Sequence, residues 1–169
     1  PAPVDTPAGT ASSDVSIQLD VPYLLANDKR WSSIKLGSTS YIVGKNGGFL
    51  TCMAMYESYR LGIEETPATL INSGRAKFSS DGGLLFSCDL YAPYKSAAFS
   101  VELIYDLLCN NKPVIVWANN GGKHYAELCY AFDGNPSNME LSDFSIHDPL
   151  NGTSFLSDWS DFSRICYYP

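Results

Sequence analysis

The sequence predicts an α+β fold in which helices come first and an antiparallel sheet follows. Between residues 50 and 61, and again between residues 101 and 109, apolar side chains recur at helical spacing. From Val114 onward they form short runs separated by turn residues, a pattern typical of strands. With 169 residues, the chain is long enough for one domain with a sizeable core and too short for two ordinary domains.

The first predicted element is a strand over residues 15–21, where apolar and polar side chains alternate before Pro22. Trp31 is expected to fill the core behind this strand. The central helix is predicted over residues 50–61, and it should end at Gly62, because glycine readily adopts the left-handed conformation of a helix C-cap.

Two further helices are marked by their first residues. Thr66 and Pro67 suit the N-cap and first turn of a short helix ending near residue 71, and Ser100 suits the cap of a helix over residues 101–109. Between them, residues 75–94 are predicted to form a long irregular loop, and such loops are often functional rims. The aromatic residues best placed for a binding rim are Tyr91, Tyr94 and Trp117.

The sheet is predicted from four apolar runs in the second half of the chain. Strands are expected over residues 114–118, 124–132 and 144–148, with a turn at Asn119 to Gly122 after the first of them. The apolar residues between 155 and 168 predict a turn of helix and a terminal strand. Residues 1–14 have the composition of a linker, so the predicted domain covers residues 15–169.

Composition excludes several classes of partner. The net charge is −7, and no lysine or arginine lies between Lys123 and Arg164, so nucleic acid and anionic membranes are not expected to bind. No apolar run approaches the roughly 18 residues of a membrane span. The five cysteines form no CxxC pair and no Cys/His ligand pattern, so neither a metal nor another cofactor is expected, and most thiols should be reduced core residues.

Several sequence blocks, in this order, resemble the bacteriocin-processing cysteine peptidases, family 39 of the papain-like clan. The blocks are Val21-Pro22-Tyr23 with Asn27 to Trp31, the glycine-rich loop before Thr51 to Met55, Lys112 to Val116, Gly121 to Tyr125, and His147-Asp148-Pro149. The resemblance covers roughly residues 19 to 168, nearly the whole chain. It implies a papain-like fold with the central helix packed on the antiparallel sheet.

The resemblance also implies a set of site residues. In the family a cysteine at the start of the central helix attacks the peptide carbonyl, a histidine is its base, an aspartate orients the imidazole and an upstream glutamine stabilises the oxyanion. His124 and Asp148 match the histidine and the aspartate, and they are expected to pair. Gly48 stands at the nucleophile position and Ala26 at the oxyanion position, so both of those groups are missing.

Cys52 lies four residues beyond Gly48, about 6 Å further along the helix. It is a less favoured substitute nucleophile, because a thiol there sits deeper and away from the helix terminus that would activate it.

These observations favour a catalytically degenerate domain that binds a peptide or protein ligand in the vestigial cleft. It would act as a monomeric module beside other modules of a secreted or cell-surface bacterial protein. The alternative is an active cysteine peptidase, in which Gly48 is an engineered inactivation or Cys52 acts as the nucleophile. A purely structural spacer, whose cleft is covered by the loop at residues 75–94, is the third hypothesis.

Overall fold

The computed structural model describes residues 13–169, so the predicted linker lies outside the described residues except for its last two positions. The described part contains four helices, and two single turns of 3₁₀-helix follow at Leu141–Asp143 and Leu156–Asp158. The helices are α1 (Val43–Asn46), α2 (Gly48–Leu61), α3 (Pro67–Asn72) and α4 (Val101–Cys109). The strands are β1 (Val15–Gln18), β2 (Lys95–Ala98), β3 (Val114–Asn120), β4 (Lys123–Gly134), β5 (Phe144–His147) and β6 (Phe162–Tyr167).

The helix boundaries follow the capping residues. Gly62 has a φ of 66° and donates its N–H to the carbonyl of Ser58, which ends α2 as predicted. The side chain of Thr66 accepts from the N–H of Thr69 at the start of α3, and Ser100 caps α4 in the same way. These three predicted helices are confirmed, and α2 begins two residues earlier than predicted, at Gly48.

The six strands form one antiparallel sheet in the order β1-β4-β3-β6-β2, and β5 pairs with the other edge of β4. The long strand β4 is central, because its first part pairs with β3 and its last part with β1. Between β3 and β4 the turn consists of Gly121 and Gly122, whose φ angles are 58° and 77°. Turns with two positive φ angles suit the twist of a hairpin and favour glycine.

The core forms where α2 packs on the sheet. Ten of the fourteen residues of α2 are buried, and α2 and α4 both pack against β4. Trp31 is 2% exposed and fills the core as predicted. All five cysteines are free and four of them are buried, but Cys109 is exposed, so that thiol is a surface residue.

The predicted α+β class is therefore confirmed, with helices before most of the sheet. Two sheet predictions were wrong: the first strand ends at Gln18, three residues early, and β2 lies in a segment where no strand was predicted. None of the helices in residues 13–169 is long and apolar enough to cross a membrane.

Candidate functional site

Gly48 lies at the first position of α2, as the predicted nucleophile position requires. The preceding residue, Gly47, carries no side chain that could cap the helix, and its carbonyl accepts from both the N–H and the Oγ1 of Thr51. The N–H groups of the first turn of a helix have no partner within the helix. The start of α2 therefore presents backbone N–H groups next to Gly48, which has no side chain.

The space above Gly48 is occupied by Leu150. A Cβ atom added to Gly48 would lie 2.9 Å from Cδ1 of Leu150, 3.5 Å from its Cγ and 3.9 Å from Cγ of Pro149. Carbon atoms at 2.9 Å overlap, so any side chain at position 48 requires Leu150 to move. The position that the resemblance assigns to the nucleophile thus lies against the end of a flexible apolar side chain.

Asp148 holds the turn that carries Leu150. Its carboxylate is 1% exposed and accepts from the N–H groups of Leu150 and Asn151, each at 3.0 Å. It also accepts from the N–H and the Oγ1 of Thr153, at 3.3 and 2.6 Å. Four donors satisfy the hydrogen-bonding capacity of the carboxylate. Asp148 therefore stabilises the turn that follows it.

Ala26 lies against the same turn, because its N–H donates to the carbonyl of Pro149 at 3.0 Å. Its side chain is completely buried, so a glutamine at this position would have to displace its neighbours. Tyr23, two positions after Val21 in the same block, donates its hydroxyl to the carbonyl of Asp148. The segment before Trp31 and the turn after β5 are thus joined by hydrogen bonds next to the start of α2.

His124 lies at the start of β4, directly across the hairpin from Asn119. Its Nδ1 is hydrogen-bonded to Oδ1 of Asn119, while Nδ2 of Asn119 donates to a carboxylate oxygen of Asp161 at 3.2 Å. Because Oδ1 can only accept, Nδ1 of His124 carries the proton. Within residues 13–169 no hydrogen bond joins His124 to Asp148, so the predicted pair is not formed. The exposed imidazole bonds to Asn119 instead, and the carboxylate of Asp148 is occupied by donors of its own turn.

Cys52 is fully buried in α2, and its Sγ donates to the carbonyl of Ala126 at 3.3 Å. Burial raises the pKa of the Cys52 thiol well above its ordinary value, and the nearby charges of Glu127 and Asp148 raise it further. A thiolate is the reactive form of cysteine. The surroundings of Cys52 therefore suppress the chemistry that a nucleophile needs.

Gly48 and His124 line one cleft of about 780 Å³. Its apolar surface includes Trp117 and Phe49, whose ring centroids are 4.7 Å apart. The loop predicted as a rim supplies one wall, through Phe78 and residues 81–84. Of the three predicted rim aromatics only Trp117 lines the cleft, since Tyr91 is buried and Tyr94 is half-buried elsewhere.

Three residues near the site were not identified from the sequence: Asn119, Leu150 and Glu127. Glu127 is completely buried in β4, and neither of its carboxylate oxygens has a hydrogen-bond partner in the described part of the chain. Burial, and then the charge of Asp148, raises the pKa of Glu127 to about 9. A sequence signal existed, because an acidic residue within an apolar strand is unusual. Residues 13–169 hold no cluster of three His, Cys, Asp or Glu side chains that could bind a metal ion.

The fold and the site together define an α+β domain with an open cleft between the start of its central helix and a hairpin that carries a histidine. No family model and no curated protein matches the sequence.

Proposed function

We propose that the chain is a papain-like domain that no longer cleaves peptides and that binds a peptide or protein segment in the cleft beside Gly48. The position of Leu150 carries this proposal, because its Cδ1 lies 2.9 Å from where a Cβ at position 48 would stand, so a cysteine there needs the Leu150 side chain to shift. Ala26 supports it independently, since its buried methyl group leaves no room for an oxyanion donor. We extend the proposal to a binding module of a secreted bacterial protein with several modules.

The cleft itself supports binding over a purely structural role. A volume of about 780 Å³ is within the range of ligand sites. The loop of residues 75–94 forms one wall only, and His124, Lys45 and Lys123 remain exposed. A spacer module would have no reason to keep an open cleft with an apolar floor.

The alternative function, an active cysteine peptidase, requires a reactive thiol. The only thiol of α2, Cys52, is buried and hydrogen-bonded, and its pKa is raised. If Gly48 is an engineered inactivation, restoring cysteine there should restore labelling without any further change. The proposed function predicts slower labelling of that variant, because Leu150 must shift before the restored side chain fits.

The test compares four proteins in a Cys109→Ser background, which removes the one exposed thiol. They are the parent, Gly48→Cys, Leu150→Ala, and the double variant Gly48→Cys with Leu150→Ala. Each is mixed with iodoacetamide and with a quenched peptide library, and the labelled residue is located by mass spectrometry. Binding of the same library to the parent is measured by fluorescence anisotropy.

We expect the parent and Leu150→Ala to bind library peptides, cleave none and remain unlabelled. The double variant should label at position 48 at least about tenfold faster than Gly48→Cys alone, because the shorter side chain frees the space and the helix terminus lowers the thiol pKa. If the parent cleaves peptides, or if Cys52 is rapidly labelled, the proposal is wrong and the chain is an active peptidase. Absence of any peptide binding would remove the binding role.

A further inference from the structure

The charges that line the cleft are opposite in sign to the charge of the whole chain. The chain carries 18 acidic and 11 basic residues, yet the ionisable lysine, histidine and acidic side chains lining the cleft are Lys45, Lys123, His124 and Asp81. Two lysine charges therefore stand against one carboxylate charge. A cleft with walls of low polarity strengthens the electrostatic potential of the charges that line it. The sign of that potential therefore determines whether anionic or cationic ligands are attracted.

Both lysines are available to a ligand. The ion pairs within residues 13–169 use Arg30, Arg60 and Arg75 as their cations, and neither Lys45 nor Lys123 takes part in one. Both side chains are exposed. Each ammonium group can thus form a new charge-assisted hydrogen bond without breaking an existing ion pair.

The single acidic residue of the cleft is already occupied. A carboxylate oxygen of Asp81 accepts from the hydroxyl of Ser79 and from the N–H of Gly83, within its own turn. These hydrogen bonds hold the pKa of Asp81 below its ordinary value, so its charge stays fixed in the loop. Asp81 reduces the positive potential at one wall, but it does not neutralise either lysine by contact.

The apolar part of the cleft indicates a peptide. Trp117, Phe49 and Leu150 all line the cleft and offer a surface for apolar side chains. A small anion would contact only the lysines and leave the apolar surface exposed to water. A peptide segment can contact the lysines and also bury the apolar surface. The dimensions of the cleft, about 780 Å³, are sufficient for a few residues of an extended chain.

We infer that the cleft binds an acidic peptide segment, whose side-chain carboxylates face Lys45 and Lys123 and whose apolar side chains cover Trp117 and Phe49. This inference rests on the proposed function and adds the chemical class of its ligand. Charge complementarity of this kind gives selectivity and a faster association rate, and salt weakens it.

The experiment uses fluorescein-labelled seven-residue peptides with an amidated C-terminus, of sequence Gly-Glu-Leu-Glu-Phe-Glu-Gly, and a counterpart with glutamine in place of each glutamate. The glutamine peptide with a free C-terminal carboxylate forms a third probe, and an oligothymidylate of equal charge forms a fourth. Fluorescence anisotropy gives Kd for the whole chain and for Lys45→Glu, Lys123→Glu and Lys95→Glu. Lys95 is exposed on β2 outside the cleft and provides the matched charge control.

We expect the glutamate peptide to bind at least about tenfold more tightly than the amidated glutamine peptide at low salt. Lys45→Glu and Lys123→Glu should each weaken its binding by about fivefold or more, while Lys95→Glu should change Kd less than twofold. Equal affinities for the two amidated peptides, or an equal effect of Lys95→Glu, would overturn the inference and leave the proposed binding function intact. Equally tight binding of the free-acid glutamine peptide, or of the oligothymidylate, would also overturn it.

Discussion

Replacing Glu127 with glutamine should stabilise the folded chain at neutral pH. Glu127 is completely buried in β4 and neither carboxylate oxygen has a partner within residues 13–169. The pKa of its carboxyl group rises from 4.5 to about 9, mainly because burial disfavours the charged form. Between these two values the folded chain holds a proton that the unfolded chain has released, so stability falls as pH rises.

The size of this effect follows from the two pKa values. One pH unit corresponds to about 1.4 kcal/mol of differential stability, so at pH 7 the buried carboxyl group costs roughly 3 kcal/mol relative to a group that does not titrate. The cost vanishes near pH 4, where the carboxyl group is protonated in both states, and it stops growing above about pH 9. Glutamine has nearly the same shape and no charge, so Glu127→Gln should remove this cost.

Urea unfolding at several values between pH 5 and pH 9, followed by tryptophan fluorescence, measures the effect. The difference in unfolding free energy between Glu127→Gln and the parent should grow steadily with pH. Taking this difference cancels other titrating groups, such as His147, whose pKa is lowered by burial. Glu64→Gln is the matched control, because the Glu64 side chain is 77% exposed. Parallel curves for the parent and Glu127→Gln would refute the argument from burial.

Three further predictions test the packing and the hydrogen bonds of the core. Ellman's reagent should react rapidly with one thiol of the folded chain, Cys109, and with all five only in denaturant; a second fast thiol would contradict this burial pattern. Gly47→Ala should lower the free energy of unfolding by about 1–3 kcal/mol, because its Cβ would lie 2.7 Å from backbone atoms of α1; an unchanged urea midpoint would show that this backbone yields. Tyr94→Phe should cost about 1.5–3 kcal/mol, since its hydroxyl donates to the buried carboxylate of Glu57 at 2.7 Å. Tyr59→Phe, which removes an exposed hydrogen bond, should cost much less in the same assay.

Helices α2, α3 and α4 could be predicted because their ends are encoded locally, whereas α1 lies in the segment interpreted as a glycine-rich loop. Backbone groups at a helix end have no partner within the helix. They are satisfied at Ser100, Thr66 and Gly62, and the structure places the helix ends at these residues. Strand β2 could not be predicted in this way. Its residues, Lys95–Ala98, have little preference for strands, and they become one only because β6 offers an edge that pairs with them.

The candidate site could be predicted in part. The glycine-rich loop predicts the entry to α2 to within two residues, and His124 lies on a strand beside the same cleft as Gly48. The partner of His124 depends on the hairpin register, which places Asn119 opposite it. The turn around Asp148 depends on donors two to five residues further along the chain, and no periodic pattern marks them.

On the peptidase origin that we propose, the contact of Leu150 with position 48 limits how readily the chain could regain cleavage. A single nucleotide change can turn a glycine codon into a cysteine codon, but it does not create room for the thiol. That room requires the Leu150 side chain to turn away from position 48, while Asp148 keeps the backbone of the turn in place by hydrogen bonds to residues 150, 151 and 153. Because the buried Ala26 stands at the position assigned to the oxyanion donor, natural reversion to an enzyme on this proposal needs at least two mutations, at positions 48 and 26.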